Sequence, residues 1–554
     1  MFTQIQIWIL ILVASFALFL INESSSQILN PPSLENTKQQ SVTYQKKSNF
    51  IHEFSVPNLS EQGLKGIVTD SDGNAWFYHQ TNKTSTIIKF NPMENVFISY
   101  PIEGNTMTDN AVINLAGGQL IYDEERDSIW FTDARINALG SINTKSGQIA
   151  LNNVPTNNSG IMGLVLSPDN KSIWFTEIIG NNLGSFDINS KSIREYPTGE
   201  FTGPTLLTYD DSGQLWITMA YSSSILRVEP WLLVPGSKIT GMFEIKLQSP
   251  DSFSPFGIAI PKNTNKLYIS DHGSSRIIVA NITSDLKNYT SYWTSSSMAY
   301  PVSLPSQVIS DKGANVYFLE HGGNKISKIS KDGIVTEYEI PTGPLATVVY
   351  LAGSPDASKI WFTELASNKI GYLDNTLRVP FDLEIKNTLP TRLKSNQTYP
   401  LDILVTRNED LTNSALSLRE VELSLIGMTE SGLQGLVYLA NPQRFDLTEV
   451  NRINGSISLT VGKEASTGKY SIAPRVSTTE NDNLTVSLSY PQTINLDIPV
   501  NNDQIQNLPV ESNQFSSNTT SILFRDLLRY GSVAIALTLI GYLVYRKIRR
   551  DKRQ

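Results

Sequence analysis

The feature that most constrains this chain is a short pattern, Trp-Phe-Thr-Glu or a close variant, that returns seven times between residues 76 and 364. Its leading aromatic residue lies at positions 76, 130, 174, 216, 268, 317 and 361, so the spacing varies from 42 to 54 residues. Strand-rich repeats of about 40 to 50 residues are typical of β-propellers, in which each repeat forms one four-stranded blade. Seven leading aromatic residues therefore predict seven blades.

The rest of each repeat supports four short strands. An apolar segment such as residues 255–260 comes first, and a turn such as residues 70–73 (DSDG) precedes the aromatic segment. Asp/Asn-Gly turns and alternating apolar residues are typical of β-hairpins. A copy of the last segment, residues 51–57 (IHEFSVP), precedes the first full repeat. We expect it to pair with the last blade and close the ring, and we interpret the repeated Trp as packing between neighbouring sheets.

The repeat is lost after residue 379, and residues 380–500 carry about seven alternating apolar segments instead. This pattern predicts an immunoglobulin-like β-sandwich, without the Cys and Trp residues of antibody domains. The predicted fold class is thus all-β, a seven-bladed β-propeller followed by the sandwich and a C-terminal transmembrane helix. The predicted segments are a signal peptide or N-terminal anchor (1–26), a polar leader (27–48), the propeller (49–379), the sandwich (380–500), a polar linker (501–526), the transmembrane helix (527–546) and a basic cytoplasmic tail (547–554).

Both ends of the chain carry apolar segments. Residues 7–21 suit the core of a secretory signal peptide, and an uncleaved anchor is the alternative. Residues 530–545 contain no charge and are followed at once by Lys and Arg residues, which predicts a single membrane span with a cytoplasmic tail. A basic amphipathic surface helix is the alternative here. We therefore expect a single-pass cell-membrane protein whose propeller and sandwich are extracellular.

Composition narrows the possible partners. A net charge of −8 disfavours nucleic acid, and the absence of Cys excludes disulfides and Cys-type metal sites. Asn-x-Ser/Thr sequons, which are acceptors for N-glycosylation in exported proteins, support export and predict a glycoprotein. The candidate glycosylation sites are Asn58, Asn82, Asn157, Asn170, Asn281, Asn288, Asn396, Asn454, Asn483 and Asn518.

The repeats also resemble a known family. The pattern Gly-Ile, Asp-Gly-x-Trp-Phe-Thr-Glu, Asn-Lys-Ile-Gly and Thr-Glu-Tyr-x-x-Pro is similar to that of the streptogramin B lyases (virginiamycin B lyases) over residues 49–378. The resemblance is sharpest at residues 173–177, 335–341 and 361–371. It implies a seven-bladed propeller with a magnesium-dependent site near the axis. It also implies a reaction that opens a cyclic depsipeptide at an ester bond by elimination.

The resemblance implies metal ligands at the ends of the second strands of the last blades, which here are Glu320 and Glu364. It also implies His in a Pro-His-Gly/Ala-Ile motif at the start of the last two blades. Residues 305–308 (PSQV) and 348–351 (VVYL) contain no His, and Phe256 occupies the His position of a related segment. The acids of the family are therefore matched and its histidines are not.

Four other polar residues lie at or next to second-strand ends, namely His79, Asp271, His272 and His321. With Glu320 and Glu364 they are candidates for a rearranged metal or polar site on one propeller face. The alternative is structural. Neighbours in a strand point to opposite faces, so an acid that recurs in several blades is also suited to bonding loop backbone.

Two functions follow from these patterns. The first is an extracellular binding or recognition module for an unknown ligand or protein, with Mg²⁺ or another divalent cation as its candidate cofactor. The second is a metal-dependent C–O lyase that opens a cyclic depsipeptide or related ester by elimination, a reaction that needs a general base and a cation beside the developing charge. A lactonase-like hydrolase is a third hypothesis that no residue pattern specifically favours. The sequence leaves open whether the protein is an enzyme.

Overall fold

The computed structural model describes residues 47–497, with gaps, and every structural statement below concerns these residues. They form β-strands and three short 3₁₀ helices, Glu124–Arg126, Pro230–Leu232 and His272–Ser274. The gaps are residues 82, 105–116, 234–240, 246–252, 283–285, 287–288, 295–302, 344–345, 391, 409–417, 429–434, 464, 466–467 and 481–483.

Within this described part, no helix is both long and apolar enough to span a membrane. The predicted signal peptide (1–26), linker (501–526), transmembrane helix (527–546) and tail (547–554) lie outside the described residues, as does the leader up to residue 46.

Seven four-stranded antiparallel units follow one another along the first part of the described chain. The N-terminal strand β1 (Ile51–Ser55) belongs to the last of them. Blade 1 contains β2 (Leu64–Thr69), β3 (Ala75–Gln80), β4 (Ser85–Asn91) and β5 (Val96–Ile102); blade 2 contains β6 (Leu120–Asp123), β7 (Ser128–Asp133), β8 (Ala138–Asn143) and β9 (Ile149–Asn153); blade 3 contains β10 (Ile161–Leu166), β11 (Ser172–Glu177), β12 (Asn182–Asp187) and β13 (Ser192–Pro197); blade 4 contains β14 (Pro204–Tyr209), β15 (Leu215–Met219), β16 (Ser224–Val228) and β17 (Met242–Ile245). Blade 5 contains β18 (Pro255–Ala259), β19 (Lys266–Asp271), β20 (Arg276–Asn281) and β21 (Tyr289–Trp293); blade 6 contains β22 (Pro305–Ser310), β23 (Val316–Glu320), β24 (Lys325–Ile329) and β25 (Val335–Glu339); blade 7 contains β26 (Val348–Gly353), β27 (Lys359–Glu364), β28 (Lys369–Asp374) and β1.

The blades form a closed ring. The first strand of each blade contacts the first strand of the next, and β26 of blade 7 contacts β2 of blade 1. Strand β1 pairs antiparallel with β28, from Ile51 opposite Leu373 to Ser55 opposite Lys369. This pairing confirms the expectation that the N-terminal strand completes the last blade.

The leading aromatic residue of the motif has two structural roles. Trp76 Nε1 donates to Asp70 Oδ2 at 2.8 Å, while Asp70 Oδ1 accepts the Asn74 backbone N–H at 2.9 Å and so holds the preceding turn. Trp216 and Asp210 repeat the contact at 2.8 Å. The indole rings also pack between sheets, since Trp76 lies in one apolar cluster with side chains of blade 2. The predicted packing role of Trp is confirmed.

The Phe of the motif explains a recurring glycine. Phe175 lies directly opposite Gly184 on the neighbouring strand. A Cβ atom added to Gly184 would lie 2.1 Å from Cζ of that ring, so no larger residue fits without a shift of the ring. Phe131 meets Gly140 in the same way. The Gly of the third strand therefore leaves the space that the Phe ring fills.

The Thr of the motif, which is present in blades 2, 3, 4 and 7, links its blade to the next one. Thr132 Oγ1 of blade 2 donates to the Met162 carbonyl of blade 3 at 2.8 Å. Thr218 Oγ1 of blade 4 donates to the Phe256 carbonyl of blade 5 at 2.7 Å. Thr363 Oγ1 closes the ring by donating to the carbonyl of Lys65 in blade 1 at 2.6 Å. These hydrogen bonds place the first strands side by side around the axis.

The second β-region is joined to blade 6 by a continuous sheet. Its strands are β29 (Phe381–Ile385), β30 (Arg392–Lys394), β31 (Gln397–Arg407), β32 (Val421–Met428), β33 (Leu436–Asn441), β34 (Arg444–Phe445), β35 (Arg452–Val461), β36 (Gly468–Glu480), β37 (Leu484–Ser489) and β38 (Gln492–Asp497). The first sheet has the order β29-β31-β35-β33, and the second has the order β37-β36-β32-β34, with β38 pairing β36 and β30. Strand β37 pairs antiparallel with β25, from Val335 opposite Ser489 to Tyr338 opposite Val486. The immunoglobulin-like arrangement and the boundary at residue 379 stay predictions.

The Phe–Gly contact yields a stability prediction. Gly184→Ala should lower the free energy of unfolding by about 1–3 kcal/mol, because the added methyl group overlaps a buried ring. Gly353→Ala is the matched control, since its Cβ would have only Ile360 Cδ1 nearby, at 3.9 Å. Urea unfolding measures both variants. Equal losses in the two variants would contradict this role of Gly184.

Candidate functional site

The acids at the ends of the second strands are fully buried and bonded within their own blades. Glu177 accepts a hydrogen bond from Asn182 Nδ2 at 2.9 Å, and Asp271 accepts one from Arg276 Nε at 2.7 Å. Each partner opens the third strand of the same blade. The five acids that share this position, each with 0% of its surface exposed, are Asp133, Glu177, Asp271, Glu320 and Glu364.

Glu320, a predicted metal ligand, has both carboxylate oxygens occupied. Ser303 Oγ donates to Oε2 at 2.7 Å and Ser327 Oγ donates to Oε1 at 2.6 Å. Burial raises the pKa of Glu320, and the nearby charge of Glu337 raises it further. Glu337 in turn lies 3.6 Å from Lys325 Nζ. Glu320 therefore belongs to a buried polar network inside blade 6.

Glu364, the other predicted ligand, keeps one oxygen without a protein partner. Its Oε2 accepts from Ser367 Oγ, whereas Oε1 is buried and has no hydrogen bond among the described residues. Burial raises the pKa of Glu364 above its ordinary value, and the charge of Glu53 contributes next. Glu53 is paired with Lys369, whose Nζ lies 3.0 Å from Oε2.

A second acid recurs on the fourth strand, and sequence reasoning missed its role. This acid is the Glu of the fourth-strand segment, whose clearest copy reads Thr-Glu-Tyr. In three blades it lies opposite the third residue of the third strand, namely as Glu195, Glu337 and Glu53. Three blades thus pair a second-strand acid with a fourth-strand acid. When two carboxyl groups lie close together in a buried space, the charge of one raises the free energy needed to ionise the other. The pKa of Glu177 rises to about 8 accordingly, chiefly through burial and then through Glu195. The sequence signal that could have indicated this pairing of acids is the Glu that recurs in the fourth-strand segment.

The structure brings two of the predicted histidines together. The ring centroids of His272 and His321 are 4.9 Å apart, and His272 Nδ1 lies 3.0 Å from the Pro305 carbonyl of blade 6. His79 lies instead on blade 1, where its Nε2 is 3.1 Å from the carbonyl oxygen of Glu61. Asp271 is committed to Arg276 and to the Ser254 backbone N–H.

Nowhere in the described part of the chain do three or more His, Asp or Glu side chains group so as to hold a metal ion. Mg²⁺ prefers six oxygen ligands in octahedral geometry, and both oxygens of Glu320 already accept serine hydroxyls. Of the two predicted ligands, Glu364 retains an available oxygen.

A further polar cluster lies between blades 1 and 2. Lys65 Nζ donates to Gln80 Oε1 at 3.1 Å, and burial lowers the pKa of this amine to about 7. The Tyr78 hydroxyl and Asp133 Oδ2 are buried nearby without a hydrogen-bond partner among the described residues. No sequence motif predicted this cluster, because the other repeats do not have Lys at the position of Lys65.

The sequons fall on both sides of the described boundary. Asn58, Asn157, Asn281, Asn396 and Asn454 are exposed, and Asn170 is half-buried. Asn82, Asn288, Asn483 and Asn518 lie outside the described residues. Glycosylation at all ten stays a prediction.

The raised pKa of Glu177 gives a pH-dependent stability. Its carboxyl group is protonated up to about pH 8 in the folded protein and ionises above about 4.5 when unfolded. The stability that it contributes is therefore complete below pH 4.5 and is lost as the pH rises towards 8.

Glu177→Gln should thus flatten the fall of the unfolding free energy between pH 5 and 8, by on the order of 2 kcal/mol. Urea unfolding across this pH range measures it. Glu94→Gln, at an exposed position, is the control and should leave the slope unchanged. A wild-type slope retained in Glu177→Gln would contradict the assignment.

Comparison with known proteins agrees with the repeat pattern. Residues 49–231 match the model described as the virginiamycin B lyase family. No curated protein matches the chain. Similar solved structures include a streptogramin B lyase (23% identity, 58% of this chain and 97% of that one, TM-score 0.48) and selenomethionine-substituted virginiamycin B lyase from Staphylococcus aureus (24%, 58% and 98%, TM-score 0.48). A third is the calcium-binding protein regucalcin from Agrobacterium tumefaciens (16%, 49% and 93%, TM-score 0.35). The match of the family model over residues 49–231 confirms the resemblance to the virginiamycin B lyase family that is seen in the repeats.

Proposed function

We propose that the protein is a membrane-anchored binding module that displays its propeller outside the cell to recognise a ligand or another protein. The observation that carries this proposal is the state of the repeated acids. They are buried and are bonded inside their own blades, and the family histidines have no counterparts in the sequence. The two faces of such a ring are lined by loops, where binding residues commonly lie.

The anchor is part of the proposal. Residues 530–545 supply the apolar span, residues 547–554 the basic cytoplasmic tail, residues 1–26 the export signal or a second anchor, and residues 380–500 an immunoglobulin-like stalk. The pairing of β25 with β37 supports a stiff stalk, because it makes blade 6 and the second region one continuous sheet. Five exposed sequons support export.

Protease treatment of intact cells tests this topology. The propeller should be digested while an epitope tag after residue 554 survives, and permeabilised cells should lose both. Survival of the propeller together with loss of the tag on intact cells would contradict the orientation.

A metal-dependent C–O lyase is the second candidate, and Glu364 is the observation that favours it. Its Oε1 is buried without a partner among the described residues, and its raised pKa brings it closer to the range useful for proton transfer near neutral pH. Removing an α-proton would need such a group and a cation beside the developing charge. Bound Mg²⁺ would supply that cation, with Glu364 as its candidate ligand.

An assay separates the two candidates. We expect the full-length protein in detergent, incubated with a streptogramin B depsipeptide and millimolar Mg²⁺, to give no ring-opened product by mass spectrometry. A product that forms with wild type, disappears with Glu364→Gln and persists with the exposed-site control Glu94→Gln would establish the lyase instead. Direct measurement of bound Mg²⁺ in the same samples tests the metal prediction.

A further inference from the structure

Two histidines from neighbouring blades meet at the junction of blades 5 and 6. His272 opens the 3₁₀ helix that follows β19, and His321 follows β23. Their ring centroids are 4.9 Å apart with the planes inclined by 51°. Both side chains are half-buried, and the Phe256 ring lies 5.8 Å from that of His272.

The hydrogen bonds leave nitrogen lone pairs available on both rings. His272 Nδ1 faces the carbonyl oxygen of Pro305 at 3.0 Å, so this nitrogen carries the proton and donates it. Its Nε2 is then the unprotonated nitrogen. A backbone carbonyl on one ring nitrogen is the usual way in which proteins orient a metal-binding histidine. His321 Nδ1 is buried and has no hydrogen-bond partner among the described residues.

The separation of the rings fits a shared ion. A Zn–N bond is about 2.0–2.1 Å long, and the centre of an imidazole lies roughly 1.1 Å beyond its nitrogen, so two imidazoles on one tetrahedral ion have centroids about 5 Å apart. The measured separation is 4.9 Å. The separation of the two ring centroids therefore matches that of two imidazoles on one ion.

We propose that His272 and His321 form a two-histidine site for a borderline transition metal, Zn²⁺ in the first place, with water completing its coordination. Imidazole pairs favour Zn²⁺ and Cu²⁺ over Mg²⁺, which prefers oxygen. The site is therefore distinct in chemistry and in residues from the magnesium site that the family resemblance implies. It would clamp blade 5 to blade 6 and would leave open coordination positions on this side of the ring.

Isothermal titration of the full-length protein in detergent with Zn²⁺ tests the proposal. We expect one equivalent to bind, and His272→Ala or His321→Ala should each weaken binding by at least about tenfold. The matched controls are His79→Ala in β3 and His52→Ala in β1, which should bind Zn²⁺ like wild type. Absence of binding to wild type at millimolar Zn²⁺, or an equal loss in the controls, would overturn the site.

A measurement on the wild-type protein avoids any variant that fails to fold. One equivalent of Cu²⁺ should give an electron paramagnetic resonance spectrum with coupling to two imidazole nitrogens. A spectrum with one nitrogen ligand or none would overturn the pairing. Neither readout depends on ligand recognition or on lyase activity, so failure here is distinguishable from failure of the proposed function.

Discussion

The hydrogen bond from the motif Thr to a first-strand carbonyl of the next blade orients the second strand at four of the seven blade boundaries. Thr132, Thr218 and Thr363 each make this contact across a blade boundary, and the last of them joins blade 7 to blade 1. Each such bond is worth only about 1 kcal/mol net, but it fixes which face of the second strand meets the next blade. Alternation along a strand then decides the direction of every other motif residue.

That alternation explains why the repeated acid does not gather at a common centre. In β11, Trp174 and Thr176 face blade 4, where Trp174 packs with apolar residues and Thr176 bonds the Thr205 carbonyl. Phe175 lies on the opposite face, against Gly184. Glu177 must share the face of Phe175 and bonds Asn182 in its own blade. Each of the four side chains of the motif therefore has a structural partner, and the motif serves to pack the blades.

The sequence was sufficient for the local parts of this arrangement. Turn residues, the spacing of the aromatic residues and the displaced N-terminal copy predicted the blades and the closure by β1, which pairing with β28 confirms. The partners of the acids could not be predicted in the same way. Glu195 reaches the site of Glu177 only through strand register, and the β25–β37 pairing joins residues about 150 positions apart in the sequence. The His272–His321 contact likewise depends on how two blades pack.

Infrared spectroscopy of the buried carboxyl groups tests the central claim most directly, namely that the second-strand glutamates are neutral structural groups. At pH 7 we predict a protonated carboxyl band that loses intensity in Glu177→Gln and is unchanged by Mg²⁺. A spectrum with these glutamates fully ionised at pH 6, or a band abolished by millimolar Mg²⁺, would contradict the account and would favour a metal-binding centre built from the same acids.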